Sequence, residues 1–280
     1  MITHFKIRGK KNWGRSAALI RRIDEARAAG IDVTMAQYPY TAGSTFLHVV
    51  IPPWYHSRGV DGLLRALREE RGAIKHDLDT RMDWENFSQS VGWEKIFVSS
   101  VVSEANQPCV GKSISQIAAE RGHADPADAA FDLLVEEQLA VGMISFGLDE
   151  ADITAIMRHP AVSFITDGLM SGRPHPRAYA TYPRILGRYV REQGVLSLEE
   201  AVRKMTSLPA RKIRLRNKGV IAEGYDADLV VFAPDTVIDK NSYDDPRVHP
   251  AGIAHVLVNG VFVVEDAALT GARPGRVIRD

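Results

Sequence analysis

Residues 1–40, MITHFKIRGKKNWGRSAALIRRIDEARAAGIDVTMAQYPY, decide the fold class. Residues 1–5 read as a short strand. The segment from Arg15 to Ala29 reads as a helix, because Leu19, Ile20, Ile23 and Ala26 recur at helical spacing and Gly30 follows where a left-handed residue can end it. IDVTMAQYPY (31–40) reads as a second strand that Pro39 closes. Strand, helix, strand is the unit of a parallel sheet, so the chain is expected to be α/β.

The same rhythm returns later. EADITAIMRHP (150–160) reads as a helix and AVSFITDG (161–168) as a strand ending on Asp167. Between the two stretches, residues 45–147 form a less regular insert. There PPWYHSRG (52–59) reads as a loop, DGLLRALREERG (61–72) as a helix, WEKIFVSSV (93–101) as a strand and residues 113–139 as two helices about a proline turn. Beyond Asp167, LMSGRPHPRAYATYPR (169–184) reads as a loop and ILGRYVREQG (185–194) as a helix. SLEEAVRKMTSLPARKI (197–213) reads as one amphipathic helix introduced by Ser197. After Asn217 the texture changes: GVIAEGYDADLVVFAP and IAHVLVNGVFVVEDAAL are β-branched runs broken by Gly, Asn-Gly and Pro, the pattern of hairpins. The expected organisation is therefore an α/β part over 1–216, carrying the 45–147 insert, and a small all-β module over 217–280.

Composition narrows the class of function. Thirty-five Lys and Arg balance thirty-five Asp and Glu, which gives no basic footprint for nucleic acid or an anionic membrane. The sole cysteine, Cys109, excludes an internal disulfide and fits a reducing compartment. No apolar run reaches the roughly 18 residues of a spanning helix, and no leader pattern opens the sequence, so a cytoplasmic location is expected.

Several residues could carry chemistry. On a strand His4 and Lys6 share a face; an imidazole can ligate a metal and an ammonium can hold a substrate carboxylate. The bland alternative is a solvated pair near a terminus. Asp167 stands where an apolar strand breaks into Gly168, the place for a general base, although Asp-Gly is also a common turn pair. YPYTAGST gathers the hydroxyls of Tyr38, Tyr40, Thr41, Ser44 and Thr45, which can orient a polar substrate or merely satisfy a turn. RPHPR puts His175 and Arg177 soon after Asp167, where an arginine could clamp a carboxylate or be solvated on a stiff loop. Histidines outside these segments, His48 and His56 among them, lack H-x-H or H-E-x-x-H spacing and read as surface or packing residues; Cys109 reads as structural.

Taken in order, THFK, NWGRS, YPYTAGST, TDG, RPHPR-x-Y-x-T-YPRILG, KMTSLPARK, GVIAEGYDADLVVFAP and HVLVNG closing on GARPGRVIR resemble the N-acyl-D-amino-acid deacylases (D-aminoacylases) of the amidohydrolase superfamily. The resemblance covers essentially the whole chain and corresponds to the C-terminal portion of that family. It implies a zinc-bearing (β/α)8 barrel, represented by its C-terminal strands, joined to a small β-sandwich. It also implies amide hydrolysis of N-acyl-D-amino acids to a carboxylate and a D-amino acid. Carried over residue by residue, THFK matches the family's S-H-H-K, with His4 at the metal-ligand position and Lys6 at the substrate-carboxylate position. Tyr38 and Ser44 fall on substrate contacts, Asp167 on the catalytic aspartate and Arg177 on the arginine that grips the substrate carboxylate. Phe5 replaces the family's second histidine and by alternation should face away from the site.

The family's H-x-H pair, ligand cysteine and fifth-strand histidine all precede its THFK equivalent, and Cys109 comes in the wrong order to replace that cysteine. The chain is thus expected to work with an N-terminal half-barrel, or to associate with itself through an open sheet edge. A start placed inside a longer reading frame is a further expectation. Two other readings stand beside the deacylase: a dihydroorotase-like hydrolase of cyclic amides, and a non-catalytic truncated fragment.

Overall fold

The structure, a computed structural model, describes residues 1–278; the last two positions of the expected 217–280 module lie outside the described residues. Helix α1 (Ser16–Ala28) connects the N-terminal segment to β1 (Met35–Gln37). It packs Leu19, Ile20 and Ile23 against a cluster that contains Phe5, Ile7, Met35 and Val162. Gly30, at φ 84°, ends it as the sequence predicts. β1 pairs in parallel with β5 (Val162–Phe164), with Met35 opposite Val162 and Gln37 opposite Phe164. α8 (Glu150–Met157), capped by the Asp149 carboxylate on the Ala151 and Asp152 amides, leads into β5.

The N-terminal segment is only partly the strand expected. Ile2 makes one parallel bridge to Met35, its N–H donating to Thr34 O (2.8 Å) and its carbonyl accepting from Ala36 N–H (2.9 Å). In a regular ladder residue 4 would donate next to Ala36 O; here Phe5 does, at 2.8 Å. One extra residue is thus accommodated, and His4 takes a left-handed φ of 41°. Phe5 turns inward and is buried while His4 stays exposed. The parallel order is therefore the Ile2 segment, β1, then β5, with β1 in the middle.

Between β1 and β5 the chain builds a second layer with its own core. β2 (Ala42–Phe46), β3 (Ile96–Ser100) and β4 (Gly142–Phe146) form an antiparallel sheet in the order β2-β4-β3. Helices α2 (Pro53–His56), α3 (Gly59–Glu69), α4 (Arg71–Thr80), α5 (Phe87–Val91), α6 (Ile114–Arg121) and α7 (Pro126–Glu136) pack around it. Their core gathers Leu47, Leu67, Ile74, Ile96, Phe131 and Met143. PPWYHSRG is not the loop expected: Pro52 and Pro53 start a helical turn, because a proline at the first helical position has no amide to leave unsatisfied.

The loop expected over 169–184 also gives way. α9 (Arg177–Arg184) runs through Pro183, near its end, and continues as a π-helical segment over Ile185–Glu192. SLEEAVRKMTSLPARKI is two helices rather than one, α10 (Leu198–Met205) and α11 (Ser207–Lys212), broken at Thr206. Pro209 has no N–H to offer the Met205 carbonyl, so the first helix stops there. Ser197 caps α10 by accepting from the Glu200 amide (3.2 Å). The C-terminal part is an antiparallel meander, β6 (Leu229–Phe232), β7 (Ile253–Val258), β8 (Val261–Glu265) and β9 (Ala268–Leu269). Among the described residues no helix is long and apolar enough to cross a membrane.

Candidate functional site

The ends of the three parallel segments decide where chemistry can sit. His4 comes just after the Ile2 bridge, Tyr38 just after β1 and Asp167 soon after β5, so all three emerge at the same, carboxyl, end of the sheet. They open on a cavity of about 710 Å³. Two of the three are at left-handed backbone angles, His4 at 41° and Asp167 at 47°. Such angles are uncommon outside glycine, and histidine and aspartate tolerate them better than most. The opposite wall comes from β2 and the helices of the insert, with Phe46, His48, Pro53, Trp84 and Phe87.

All six residues singled out in the sequence, His4, Lys6, Tyr38, Ser44, Asp167 and Arg177, line this one cavity. Arg177 organises them. Its side chain is 1% exposed, and its Nη2 pairs with Asp167 Oδ2 at 2.9 Å and donates to the main-chain carbonyl of Ser44 at 3.2 Å. The guanidinium lies over the Tyr38 ring, 4.3 Å from its centroid, while Lys6 Nζ approaches the same ring at 5.5 Å. Arg177 Nε is buried with no hydrogen-bond partner. Lys6 Nζ donates to His4 Nδ1 (2.9 Å) and to the His4 carbonyl (2.7 Å). Burial holds the Lys6 ammonium well below its usual range, at about 8. Tyr38 remains a phenol, because burial raises its pKa more than Arg177 lowers it.

A residue that sequence reading left beside Arg177 turns out to set its position. His175 is 1% exposed and packs edge-on against Tyr40 and Tyr243, with ring centroids 5.0 Å apart in each case. Its Nε2 donates to Ala42 O (3.0 Å) and its Nδ1 accepts from the Arg177 amide (3.0 Å). Burial first, then the Arg177 charge, keep its pKa well below the ordinary histidine value, so the ring is neutral and its tautomer fixed by these two bonds. Tyr40 lies in the core under Arg184 rather than in the cavity.

His48 and His56 correct the sequence reading, since both line the cavity; no local signal points to them, because helix α2 and the turn before it had to fold first. Arg8 was missed as well, although it stands two residues beyond Lys6, as Lys6 stands two beyond His4. Cys109 is buried in the core of the insert, away from the cavity lining. Among the described residues no three His, Cys, Asp or Glu side chains come together as a metal-binding group.

The model of the amidohydrolase family matches residues 107–264. The chain is 38% identical over 280 residues to an N-acyl-D-glutamate deacylase of Alcaligenes xylosoxydans xylosoxydans, covering 100% of this chain and 48% of that protein. It is 36% identical over 279 residues to a D-aminoacylase of the same organism, covering 99% of this chain and 48% of the relative. Among solved structures, the N-acyl-D-glutamate deacylase of Bordetella bronchiseptica, complexed with zinc and a phosphonate mimic of the tetrahedral intermediate, superposes with a TM-score of 0.77. That pair shares 34% identity over 100% of this chain and 49% of the other. The chain spans about half the length of the relatives it matches.

Proposed function

The chain belongs to the amidohydrolase family, and from its cavity we propose that it binds an N-acyl-D-amino acid and serves the hydrolysis of its amide bond. The observation that carries this reading is the buried Arg177, lining the cavity beside Lys6 and within ion-pair distance of Asp167. Lys6 and Arg177 hold the substrate's α-carboxylate, and Tyr38 and Ser44 flank it. Asp167 takes the proton of the attacking water and passes it to the leaving nitrogen. The three parallel segments are read as C-terminal strands of a (β/α)8 barrel, whose active sites lie at the carboxyl ends of the strands. Residues 217–280 are read as part of a β-sandwich.

The relatives support zinc as the metal of the whole site, with His4 as one ligand. A catalytic zinc usually has three protein ligands, and the described residues gather no such group. His4 and Asp167 alone do not fit the ion, so the remaining ligands are proposed to come from an N-terminal half-barrel or, less economically, from a second copy. A cytoplasmic location is proposed on the single buried cysteine.

Asp167→Asn, in the chain assembled with an N-terminal half, is expected to abolish turnover and leave N-acyl-D-amino-acid binding measurable; retained turnover would remove Asp167 from the mechanism. Assay of cyclic amides beside N-acyl-D-amino acids separates a dihydroorotase-like activity. Zinc analysis separates a non-catalytic fragment, for which mixing with the N-terminal half would not raise the bound metal.

A further inference from the structure

The connection from β6 to β7 is far longer than the sheet needs. The two strands are antiparallel neighbours, with Phe232 opposite Ile253, and about two to five residues would join such a pair. Residues 233–252 instead leave the sheet, form no helix and make a single bridge, Ile238 to Ala251. Connections of this length without structure of their own are usually functional. This one runs to the loop that carries Arg177. Asp239 pairs with Arg184 of α9 at 2.9 Å, and both side chains are largely buried. Asn241 Nδ2 donates to the carbonyls of Pro176 and Pro246, 3.0 Å each, so one amide ties the start of α9 to the connection. Arg247 Nη2 donates to Gly172 O (2.7 Å), and Arg173 Nη2 donates to Asp244 O (2.9 Å) and Oδ1 (2.6 Å). Between these anchors the Ser242 amide donates to Asp245 O (3.0 Å) and closes a turn. Tyr243, on that turn, sets its ring against His175 and Phe146, with centroids 5.0 and 4.7 Å apart.

Residues 165–176 have no regular backbone structure, so their place depends on what grips them. β3 supplies one grip: the Arg173 amide donates to Ser99 O at 2.7 Å, and a side chain at Gly172, where φ is 58°, would collide with Ser99 and Ser100. Residues 239–247 supply the second. We propose that residues 239–247 are a positioning strap for Arg177. Tyr243 acts through His175, whose Nδ1 accepts from the Arg177 amide, and Asn241 acts through Pro176. Neither Asn241 nor Tyr243 lines the cavity, so each reaches a ligand only by way of Arg177. A carboxylate clamp works only when it is held to within about 0.5 Å of its productive place, which a loop without such supports does not achieve. The strap gives the C-terminal part of the chain a share in the site. It rests on the proposed deacylase reading only where Arg177 is taken to grip the substrate's α-carboxylate.

The full chain tests this with and without a ligand. Tyr243→Ala and Asn241→Ala should each speed hydrogen exchange at the Arg177 amide about tenfold, the worth of one edge-on ring pair or one hydrogen bond. Amides of the insert, which has its own core, should exchange as before. Both variants should bind N-acetyl-D-glutamate about tenfold more weakly by calorimetry, with urea unfolding showing that they stay folded in the assay. Tyr243→Phe keeps the ring and should restore the parent values, since the hydroxyl stands 3.5 Å from His175 Nε2, too far to bind strongly. A general loss of stability would instead speed exchange throughout and leave the affinity of the folded chain alone. Unchanged exchange at Arg177, or faster exchange with undiminished affinity, would overturn the proposal. If the unaltered chain does not bind the probe, the α-carboxylate clamp fails, and exchange at Arg177 alone decides whether the strap holds it. Should the two variants not fold, Asp244→Ala combined with Arg247→Ala, both at exposed positions, decides in their place. Faster exchange over residues 169–177 would then uphold the strap, and unchanged exchange would overturn it.

Discussion

The Asp167–Arg177 pair is asymmetric, and the asymmetry predicts which partner the fold can better lose. Arg177 is 1% exposed and Asp167 is 34% exposed. Asp167→Asn strands a buried guanidinium, a change that costs ~3–5 kcal/mol when no other charge compensates. The asparagine oxygen can still accept from Nη2, which puts the expected loss at the low end, ~3 kcal/mol. Arg177→Met strands only a carboxylate that water can reach, worth ~0–1 kcal/mol. To this is added ~1 kcal/mol for the contact with the Tyr38 ring. Asparagine also tolerates the left-handed angle at position 167, so backbone strain does not confuse the comparison. Urea unfolding of the two single variants and the double variant should therefore rank Asp167→Asn as the more damaging, with the double variant no worse than Arg177→Met. An N-acyl-D-amino acid should restore more stability to Asp167→Asn than to the unaltered chain, because its carboxylate replaces the missing charge. Equal or greater damage from Arg177→Met, or a double variant that sums the two losses, would refute the reasoning.

Other outcomes follow from the same contacts. His175 is held neutral when folded and has an ordinary pKa near 6.5 when unfolded. Below that pH the unfolded chain takes up a proton that the folded chain does not, and stability falls by up to ~1.4 kcal/mol per pH unit. His175→Gln should flatten this dependence, so the gap between variant and parent in urea unfolding should narrow from pH 8 to pH 5. Glu137 accepts from the Val102 and Ser103 amides, the Ser103 hydroxyl and the Asn106 amide. Burial alone would raise its pKa, and these donors outweigh it, lowering the carboxyl from 4.5 to about 2. Its ~3 kcal/mol is present above pH 4.5 and lost as pH falls toward 2, so Glu137→Gln should be most damaging near neutrality and converge on the parent in acid. Ser44 meets Arg177 through its carbonyl, so Ser44→Ala should leave stability within ~0.5 kcal/mol. A fall in N-acyl-D-amino-acid affinity without a fall in stability would assign the hydroxyl to the substrate.

What could be read from the sequence follows the range over which each signal acts. His4, Tyr38 and Asp167 stand beside short apolar strands whose pattern is local, and the parallel order of those strands follows from the helices between them. The kink at His4 was not legible, because it arises from pairing with Ala36 rather than from residues 1–5 themselves. β2 and β4 carry Gly, Ser and Thr and become strands by pairing with each other across about a hundred intervening residues, Ala42 opposite Phe146. Arg8 is defined by Ser145, 137 positions away, and the histidines of the far wall by helix α2. Prolines misled in both directions: Pro183 is carried inside a helical run, while Pro209 splits one.

The separate core of the insert also bears on how such a pocket can diversify. The charged wall rests on the clusters around Met35 and Phe164, whereas the apolar wall of Phe46, His48 and Phe87 rests on its own packing. Substitutions in the second wall can therefore drift, reshaping the space offered to an acyl group or side chain, with little strain reaching the residues opposite. Arg8 bridges the two, rooted beside Lys6 and braced by Ser145 and Phe87. The bonds of Arg177 and His175 to the β2 carbonyls of Ser44 and Ala42 tie the walls together as well, so a substitution at any of these three side chains would be felt on both sides.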